Sequence, residues 1–168
     1  PGEARLLFPR GAADMIEWQL IEGDQQAAAQ LADRDLSNMR VRDRIALAVR
    51  TRLEIDLAAP EAMRRTASWL AMPQNAARAL RAGYRTVDAL WAAVGDQSTD
   101  FNYYTKRGLL LGVQSATVLY ALGDMSEDHA ETWAFLDRRI ANVMQLQTAR
   151  GPLDRLRNKF RSPTQDIP

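Results

Sequence analysis

The sequence of 168 residues has the length of a single domain and can bury a continuous core without disulfides. Its 22 Lys and Arg residues nearly balance 21 Asp and Glu residues, and the net charge of +1 gives no long-range attraction to nucleic acid. The absence of Cys excludes disulfides, thiolate nucleophiles and cysteine-based zinc sites. No apolar run approaches the roughly 20 residues that span a bilayer, so we expect no membrane-spanning helix.

Apolar residues recur along the whole chain at spacings of three and four, which is typical of amphipathic helices, and no alternating pattern predicts a strand. We expect helices over 9–34, 38–57 and 60–72, the third opened by Pro60. Pro73 precedes a fourth helix over 74–94, and Gly95 supplies its left-handed stop. The first half of the chain is therefore predicted to be helical throughout.

The second half continues the pattern after a turn at 95–100 that is rich in capping side chains. A helix over 101–122 is apolar on most of its circumference, as expected of a central or interface helix. Ser126 is predicted to cap the next helix, which should end at Gly151 and Pro152. We therefore expect a helical domain over 1–150, followed by 151–168 as a short amphipathic helix with a polar tail.

The residues for metal or nucleophilic catalysis are missing from the sequence. A carboxylate di-iron site needs Glu-x-x-His on two helices, but His129 is the single His and Ser126 stands three residues before it. Capping explains Ser126 better than a serine hydrolase triad does. No glycine-rich phosphate loop occurs either. We therefore expect neither an enzyme nor a resident cofactor or metal.

Three segments carry a resemblance to a known family. They are 95–107, reading GDQSTDFNYYTKR, 7–18, reading LFPRGAADMIEW, and 132–140, reading TWAFLDRRI. They resemble the signatures of the Coq-nine family of ubiquinone biosynthesis. Tyr103 stands where the family usually has Trp. Pro1 in place of an initiator Met and the scarcity of Lys lead us to expect a bacterial member lacking its N-terminal segment.

The resemblance implies an all-α, TetR-like ligand-binding helical bundle without the helix-turn-helix segment, paired as a homodimer. It implies a non-catalytic accessory protein that binds an isoprenoid or other lipid and presents an apolar quinone intermediate to the demethoxyubiquinone hydroxylase. The alternative is the ligand-binding domain of a TetR-type transcription regulator. The near-neutral charge and the missing DNA-reading segment favour the first interpretation, with no nucleic-acid partner.

Two sets of candidate residues lie on the helices over 74–94, 101–122 and beyond Ser126. The first set shares helical spacing and is expected to line a cavity for an isoprenoid or phospholipid: Leu80, Tyr84, Val87, Leu110, Val113 and Ile140. The alternative is that these side chains fill a core. The second set combines aromatic and charged residues expected to dock the hydroxylase: Asp88, Trp91, Asp100, Tyr103, Tyr104 and Arg107. The alternative is that this segment only caps and packs.

A third set is expected to contact a membrane surface. Leu153, Leu156 and Phe160 fall on one helical face, and Arg157 and Lys159 are among the basic residues around it. The alternative is that the apolar residues dock on the protein's own core. The family resemblance places such a protein on the inner membrane as a peripheral protein, in the bacterial cytoplasm or, in a eukaryote, on the mitochondrial matrix side.

Overall fold

A computed structural model describes residues 6–96 and 101–159, with side chains over 6–96 and 103–145. Within that part of the chain the regular structure is helical and contains no strand. The α-helices are α1 (Ala12–Ala32), α2 (Val41–Leu57), α3 (Pro60–Leu70), α4 (Ala76–Ala93), α5 (Phe101–Ala121) and α6 (Ala130–Lys159). The expected all-α class is confirmed, and the arrangement is consistent with a TetR-like bundle.

The helix ends follow local chemistry that the sequence makes visible. Pro60 occupies the first turn of α3, where its missing N–H costs no hydrogen bond. Gly95 has φ +82° and stops α4 with a left-handed residue that glycine adopts without a steric penalty. At the start of α6, the Ser126 hydroxyl accepts a hydrogen bond from the backbone N–H of Glu131 at 3.1 Å. The predicted boundaries at Pro60 and Gly95 are therefore confirmed, whereas α6 begins at Ala130, four residues after the predicted cap Ser126.

One predicted helix boundary is wrong. Helix α6 runs without interruption from Ala130 to Lys159, through Gly151 and Pro152, where the sequence predicted an end. An internal proline removes only one backbone donor and strains the preceding turn, so a helix can continue through it with a local defect. The separate amphipathic helix predicted within 151–168 is a continuation of α6 as far as Lys159. The two-part division of the chain at residue 150 stays a prediction.

The main core lies where α4 and α5 meet the other helices. Helix α5 packs between α4 and α6, and α2 closes the cluster from the side. Its buried side chains are Leu31, Ile45, Ala48, Val49, Val87, Leu90, Trp91, Val94, Leu110, Val113, Leu136 and Ile140. A smaller cluster of Leu53, Met63 and Ala121 lies under α3. In the described part of the chain, no helix is long and apolar enough to cross a membrane.

Candidate functional site

An apolar groove with a volume of about 330 Å³ opens on the side of the bundle formed by α1, α3, α4 and α5. We call it the ligand groove. Its volume is at the lower end of the roughly 300–1,000 Å³ that small-molecule sites occupy. The apolar walls include Leu20, Met63, Leu70, Leu111, Val118 and Leu119. The groove is therefore large enough to shelter part of an apolar molecule.

Small residues on α4 create this space. Ala79, Ala82 and Gly83 line the groove where larger side chains would fill it. A Cβ on Gly83 would lie 2.5 Å from the Leu111 Cδ1 atom, so the glycine lets Leu111 of α5 press against the α4 backbone. Leu111 packs closely against Gly83, and the short side chains of Ala79 and Ala82 leave the groove open between α3 and α5.

A buried ion-pair cluster forms the floor of the ligand groove. The Arg52 side chain is buried and its Nε lies 2.9 Å from Asp24 Oδ1, while its Nη1 lies 2.7 Å from Asp56 Oδ1. Thr86 donates its hydroxyl to both carboxylate oxygens of Asp24, at 2.9 and 3.0 Å. Burial raises the pKa of the Asp56 carboxyl, against the opposing effect of Arg52. The cluster joins α1, α2 and α4 beneath the groove.

Two glutamines of the groove differ in their hydrogen bonding. The Gln19 Oε1 atom accepts a hydrogen bond from the Thr66 hydroxyl at 3.1 Å. Gln114 is 7% exposed, and its Oε1 atom has no hydrogen-bond partner among the residues that the structure describes. A buried amide oxygen normally has such a partner. Gln114 therefore leaves one polar atom unengaged in an otherwise apolar wall.

A second cavity, of about 390 Å³, adjoins the ligand groove and shares Leu20, Leu70 and Ala82 with it. We call it the arginine pocket because its rim carries Arg10, Arg78, Arg81 and Arg85. Glu17 and Asp14 offset part of this charge, since Arg10 contacts both carboxylates. The arginine pocket and the ligand groove are therefore neighbours along α1, α3 and α4.

The residues predicted to line a lipid cavity lie elsewhere in the structure. Leu110, Val113 and Ile140 line a cavity of only about 70 Å³ between α2, α5 and α6, too small for an acyl chain. Val87 is fully buried in the core, Tyr84 is half-buried, and Leu80 is 62% exposed. None of the six lines the ligand groove. The helical spacing of apolar residues identified side chains of the core. The ligand groove would have been indicated instead by the small residues Ala79, Ala82 and Gly83 of α4.

The predicted docking residues are brought together at the junction of α4 and α5. The Tyr103 hydroxyl donates to Asp88 Oδ1 at 2.9 Å, and Arg107 Nε contacts the same oxygen at 2.5 Å. Partial burial opposes ionisation of Asp88, but the hydrogen bonds from Arg107 and Tyr103 hold its pKa below the ordinary value. The Arg107 guanidinium also lies 3.3 Å from Asp96 Oδ2. These residues therefore form an internal network.

Burial divides the docking set into inward and outward residues. Arg107 is 3% exposed and Trp91 is 7% exposed, so neither presents its side chain to a partner in this conformation. Tyr104 is 67% exposed and stacks edge-on against Tyr103. Asp100 lies outside the described residues. Among the described residues of the docking set, Tyr104 is the most exposed.

The predicted membrane contact is described only as backbone. Leu153, Leu156, Arg157 and Lys159 lie on the last turns of α6, and Phe160 lies outside the described residues. Over the side chains that the structure does describe, no group of three or more His, Cys, Asp or Glu residues could hold a metal ion.

Comparison with known proteins relates the chain to one family. The family model described as COQ9 matches residues 76–147, which include α4, α5 and the first part of α6. The ubiquinone biosynthesis protein COQ9 of Rattus norvegicus, named mitochondrial, is 38% identical over 125 residues, which are 73% of this chain and 39% of that protein. The Homo sapiens protein of the same name is 35% identical over 125 residues, 73% of this chain and 38% of that protein.

A relative from Drosophila melanogaster extends the similarity over more of the chain. This protein, also named ubiquinone biosynthesis protein COQ9, is 33% identical over 157 residues, which cover 88% of this chain and 46% of the relative. The chain thus spans less than half the length of each of these three relatives. On these matches, and on the three segments that the sequence carries, the chain belongs to the COQ9 family.

Proposed function

We propose that this chain is a non-catalytic, lipid-binding accessory protein of ubiquinone biosynthesis, and that the ligand groove holds the apolar part of an isoprenoid quinone intermediate. The observation that carries the proposal is the groove itself, a largely apolar space bounded by five helices in a chain whose relatives are named for ubiquinone biosynthesis. A phospholipid is the second ligand compatible with such a groove. The ligand is a cargo, and the protein supplies no chemical step.

The physical basis of the proposal is the cost of hydrating a long isoprenoid tail. Each methylene exposed to water costs about 0.8 kcal/mol, so a tail of several isoprene units leaves the bilayer only when another apolar surface covers it. Walls built from Leu20, Met63 and Leu111 offer such a surface. A carrier of this kind lowers the free energy of the exposed intermediate without binding it permanently.

We further propose that the carrier delivers its ligand to the demethoxyubiquinone hydroxylase. Tyr104 is the exposed aromatic residue at the α4–α5 junction, and the network of Asp88, Tyr103 and Arg107 beneath it holds the helix start in a fixed position. Tyrosine is among the residues that most often dominate the binding energy of protein interfaces, so an exposed Tyr on a fixed helix start fits a docking contact. Arg107 therefore acts as a positioning residue in this proposal, and Tyr104 acts as the contact.

The membrane and the second subunit complete the proposal. The basic and apolar residues at the end of α6 fit a reversible contact with an anionic inner membrane, on the bacterial cytoplasmic side or the mitochondrial matrix side.

Helices α5 and α6 are proposed to pair in a homodimer. Helix α5 is apolar over most of its circumference, more than a single small domain buries, and this supports the pairing. Light scattering over a concentration series tests this; a monomer at high micromolar concentration would contradict it.

Obstruction of the ligand groove tests the lipid-binding proposal. Ala79 lines the groove, so Ala79→Phe places a ring in it, whereas Ala77→Phe adds the same ring to an exposed position of α4. We expect A79F to weaken binding of decylubiquinone at least tenfold in calorimetric titration, and A77F to bind as the wild type does. Equal binding by both variants would locate the ligand outside the groove.

A further inference from the structure

We propose that the arginine pocket binds the phosphate group of an amphiphile, with Arg78 and Arg81 as its principal contacts, and that the tail of the same molecule lies in the ligand groove. The inference rests in part on the proposed function, because the tail uses the groove that the function assigns to an apolar ligand. The quinone intermediate has no phosphate, so the amphiphile is a second ligand that competes with it for the groove.

Three arginines stand on one face of α4 at the arginine pocket. Arg78, Arg81 and Arg85 are spaced by three and four residues, so they share one side of the helix, and all three line the pocket. Like charges at these spacings repel one another and weaken a helix. The acidic residue of α4 is Asp88, which pairs with Arg107 of α5 instead. An anion bound between the arginines would relieve this repulsion.

Carboxylates of α1 do not neutralise all of this charge. Those near the pocket are Asp14, Glu17 and Asp24. Arg10 contacts the first two, and Arg85 lies 3.9 Å from Glu17 Oε1 and 3.6 Å from Asp24 Oδ2. In the part of the chain that the structure describes, no carboxylate oxygen lies within ion-pair distance of Arg78 or Arg81.

Arg78 and Arg81 are both exposed, so their guanidinium groups are accessible from solvent. Arg78 contributes to the lowered pKa of Asp14, although the hydrogen bond from the Arg10 backbone has a larger effect on that pKa. The charge of Arg78 is therefore offset only at a distance. These two arginines are the cations of the pocket that a bound anion can pair with directly.

The chemistry of the guanidinium group favours phosphate among small anions. Each guanidinium presents its N–H donors in a planar fork that matches two oxygens of a phosphate. Two arginines can therefore hold several oxygens of one phosphate, whereas the two oxygens of a carboxylate occupy a single fork. The pocket volume of about 390 Å³ leaves room for such a head group.

The position of the pocket favours a phosphate that carries an apolar tail. Leu20, Leu70 and Ala82 line both the arginine pocket and the ligand groove, and Ala82 follows Arg81 directly on α4. A chain attached to a phosphate at Arg81 can therefore enter the groove. Each methylene that leaves water there adds to the affinity, which a free phosphate ion would not gain. A membrane phospholipid has the required combination of head and tail.

Ligands with one tail and different heads test the inference on the full chain. The series is decyl phosphate, decanoate and decanol, each below its critical micelle concentration. By calorimetric titration at low salt we expect the wild type to bind decyl phosphate at least about tenfold more tightly than decanol, because charge-assisted hydrogen bonds hold the head. The double variant Arg78→Gln, Arg81→Gln should bind the two alike. Arg64→Gln with Arg65→Gln removes the same charge from exposed positions of α3 outside both cavities, and it should keep the preference.

A further comparison decides whether the phosphate carries a tail. Inorganic phosphate should bind at least about tenfold more weakly than decyl phosphate, since it buries no methylenes. Ala79→Phe obstructs the groove at a residue that does not line the arginine pocket, so it should weaken binding of decyl phosphate and leave that of inorganic phosphate unchanged. Inorganic phosphate that binds as tightly as decyl phosphate would assign the pocket to the free ion and overturn the proposed amphiphile.

The outcomes separate this inference from the proposed function. Equal affinity of the wild type for decyl phosphate and decanol overturns the phosphate site, and so does a preference for the phosphate that survives in R78Q/R81Q. Decanoate binding as tightly as decyl phosphate would show a site for any anion and overturns it too. If decylubiquinone does not bind while decyl phosphate binds through Arg78 and Arg81, the quinone proposal fails and the phosphate site stands. Should the double variant not fold, the ligand comparison on the wild type still decides.

Discussion

Arg107 and Tyr103 share a single carboxylate oxygen: both donate to Oδ1 of Asp88, and the Arg107 guanidinium carbon lies 3.3 Å from the centroid of the Tyr103 ring. This pair fixes the start of α5 against α4. A hydrogen bond, an ion pair and a cation–π contact all involve the side chains of Arg107 and Tyr103. Removal of either side chain should therefore loosen the junction. The exposed Tyr104 next to them lies outside this set of hydrogen bonds to Asp88.

The first prediction separates positioning from contact at this junction. Arg107→Ala should lower the free energy of unfolding by about 2 kcal/mol, because it removes charge-assisted hydrogen bonds from a buried site. Tyr104→Ala should change stability by less than about 0.5 kcal/mol, as expected of an exposed residue. Denaturant unfolding measures both, and binding to the hydroxylase is measured in parallel. Should R107A be as stable as wild type while Y104A unfolds, the assignment of the two roles is reversed.

A second prediction concerns pH and the start of α6. Hydrogen bonds to Asp124 from the Thr132 side chain and from Ser126 hold the pKa of this carboxyl well below its ordinary value. Its stabilising contribution is therefore complete above the unfolded pKa of about 4 and is lost as pH falls through the lower pKa of the folded state. Asp124→Asn should destabilise the protein at pH 7, and the difference from wild type should shrink below pH 4.

The exposed Asp137 on the same helix gives the matched control. Asp137→Asn should leave the free energy of unfolding within about 0.5 kcal/mol of wild type at neutral pH. Chemical unfolding at a series of pH values is the measurement. A difference between D124N and wild type that grows on acidification would have the wrong sign for a carboxyl whose pKa is lowered by folding.

The third prediction uses two glycines in helices. Gly23 lies against Arg52, and a Cβ there would lie 2.7 Å from the guanidinium carbon, which its carboxylate partners hold in place. Gly23→Ala should therefore destabilise by about 1–3 kcal/mol through overpacking. Gly108 on α5 has nothing within 4 Å of an added Cβ, so Gly108→Ala should stabilise by about 0.5–1 kcal/mol. Thermal unfolding compares them, and stabilisation by G23A would contradict a rigid groove floor.

The fourth prediction concerns the membrane. Replacement of Arg155, Arg157 and Lys159 by Gln should abolish most flotation of the chain with anionic liposomes, because each basic residue near such a surface contributes about 1 kcal/mol. Neutral liposomes and the wild type at high salt provide the reference. Truncation after Gln147 should have the same effect. Undiminished flotation of both variants would remove the end of α6 from the membrane contact.

Local sequence signals predicted the helices well because caps and stops act within a few residues. Pro60 and Gly95 each mark a boundary that the structure has, and the Ser126 hydroxyl accepts a hydrogen bond from Glu131 in the first turn of α6. The helix end predicted at Pro152 is wrong because a proline inside a long helix removes one backbone hydrogen bond without requiring the helix to end there. Helix boundaries can therefore be predicted from sequence where a local residue forces the helix to begin or end. They are harder to predict where a helix can continue despite one lost hydrogen bond.

The site was harder to predict because burial depends on neighbours distant in sequence. Leu80 lies two turns before Val87 on the same face of α4. No neighbouring helix covers Leu80, however, and its side chain is exposed. The segment containing Tyr103 and Arg107 was singled out by its resemblance to the family, yet only the structure turns Arg107 inward onto Asp88, 19 residues away. The ligand groove exists because Ala79 and Ala82 have short side chains that leave space unfilled. A periodic pattern of apolar residues does not distinguish short apolar side chains from long ones.

Photocrosslinking tests most directly whether the ligand groove holds the apolar ligand. An alkylphenol with a diazirine near the end of its tail is irradiated with the wild-type chain, and the labelled peptides are identified by mass spectrometry. We expect labels within 63–70, 79–86 and 111–119, the segments that wall the groove, and competition by decylubiquinone. Labels confined to the surroundings of Ile45, Leu110 and Ile140, where the small cavity lies, would contradict the account.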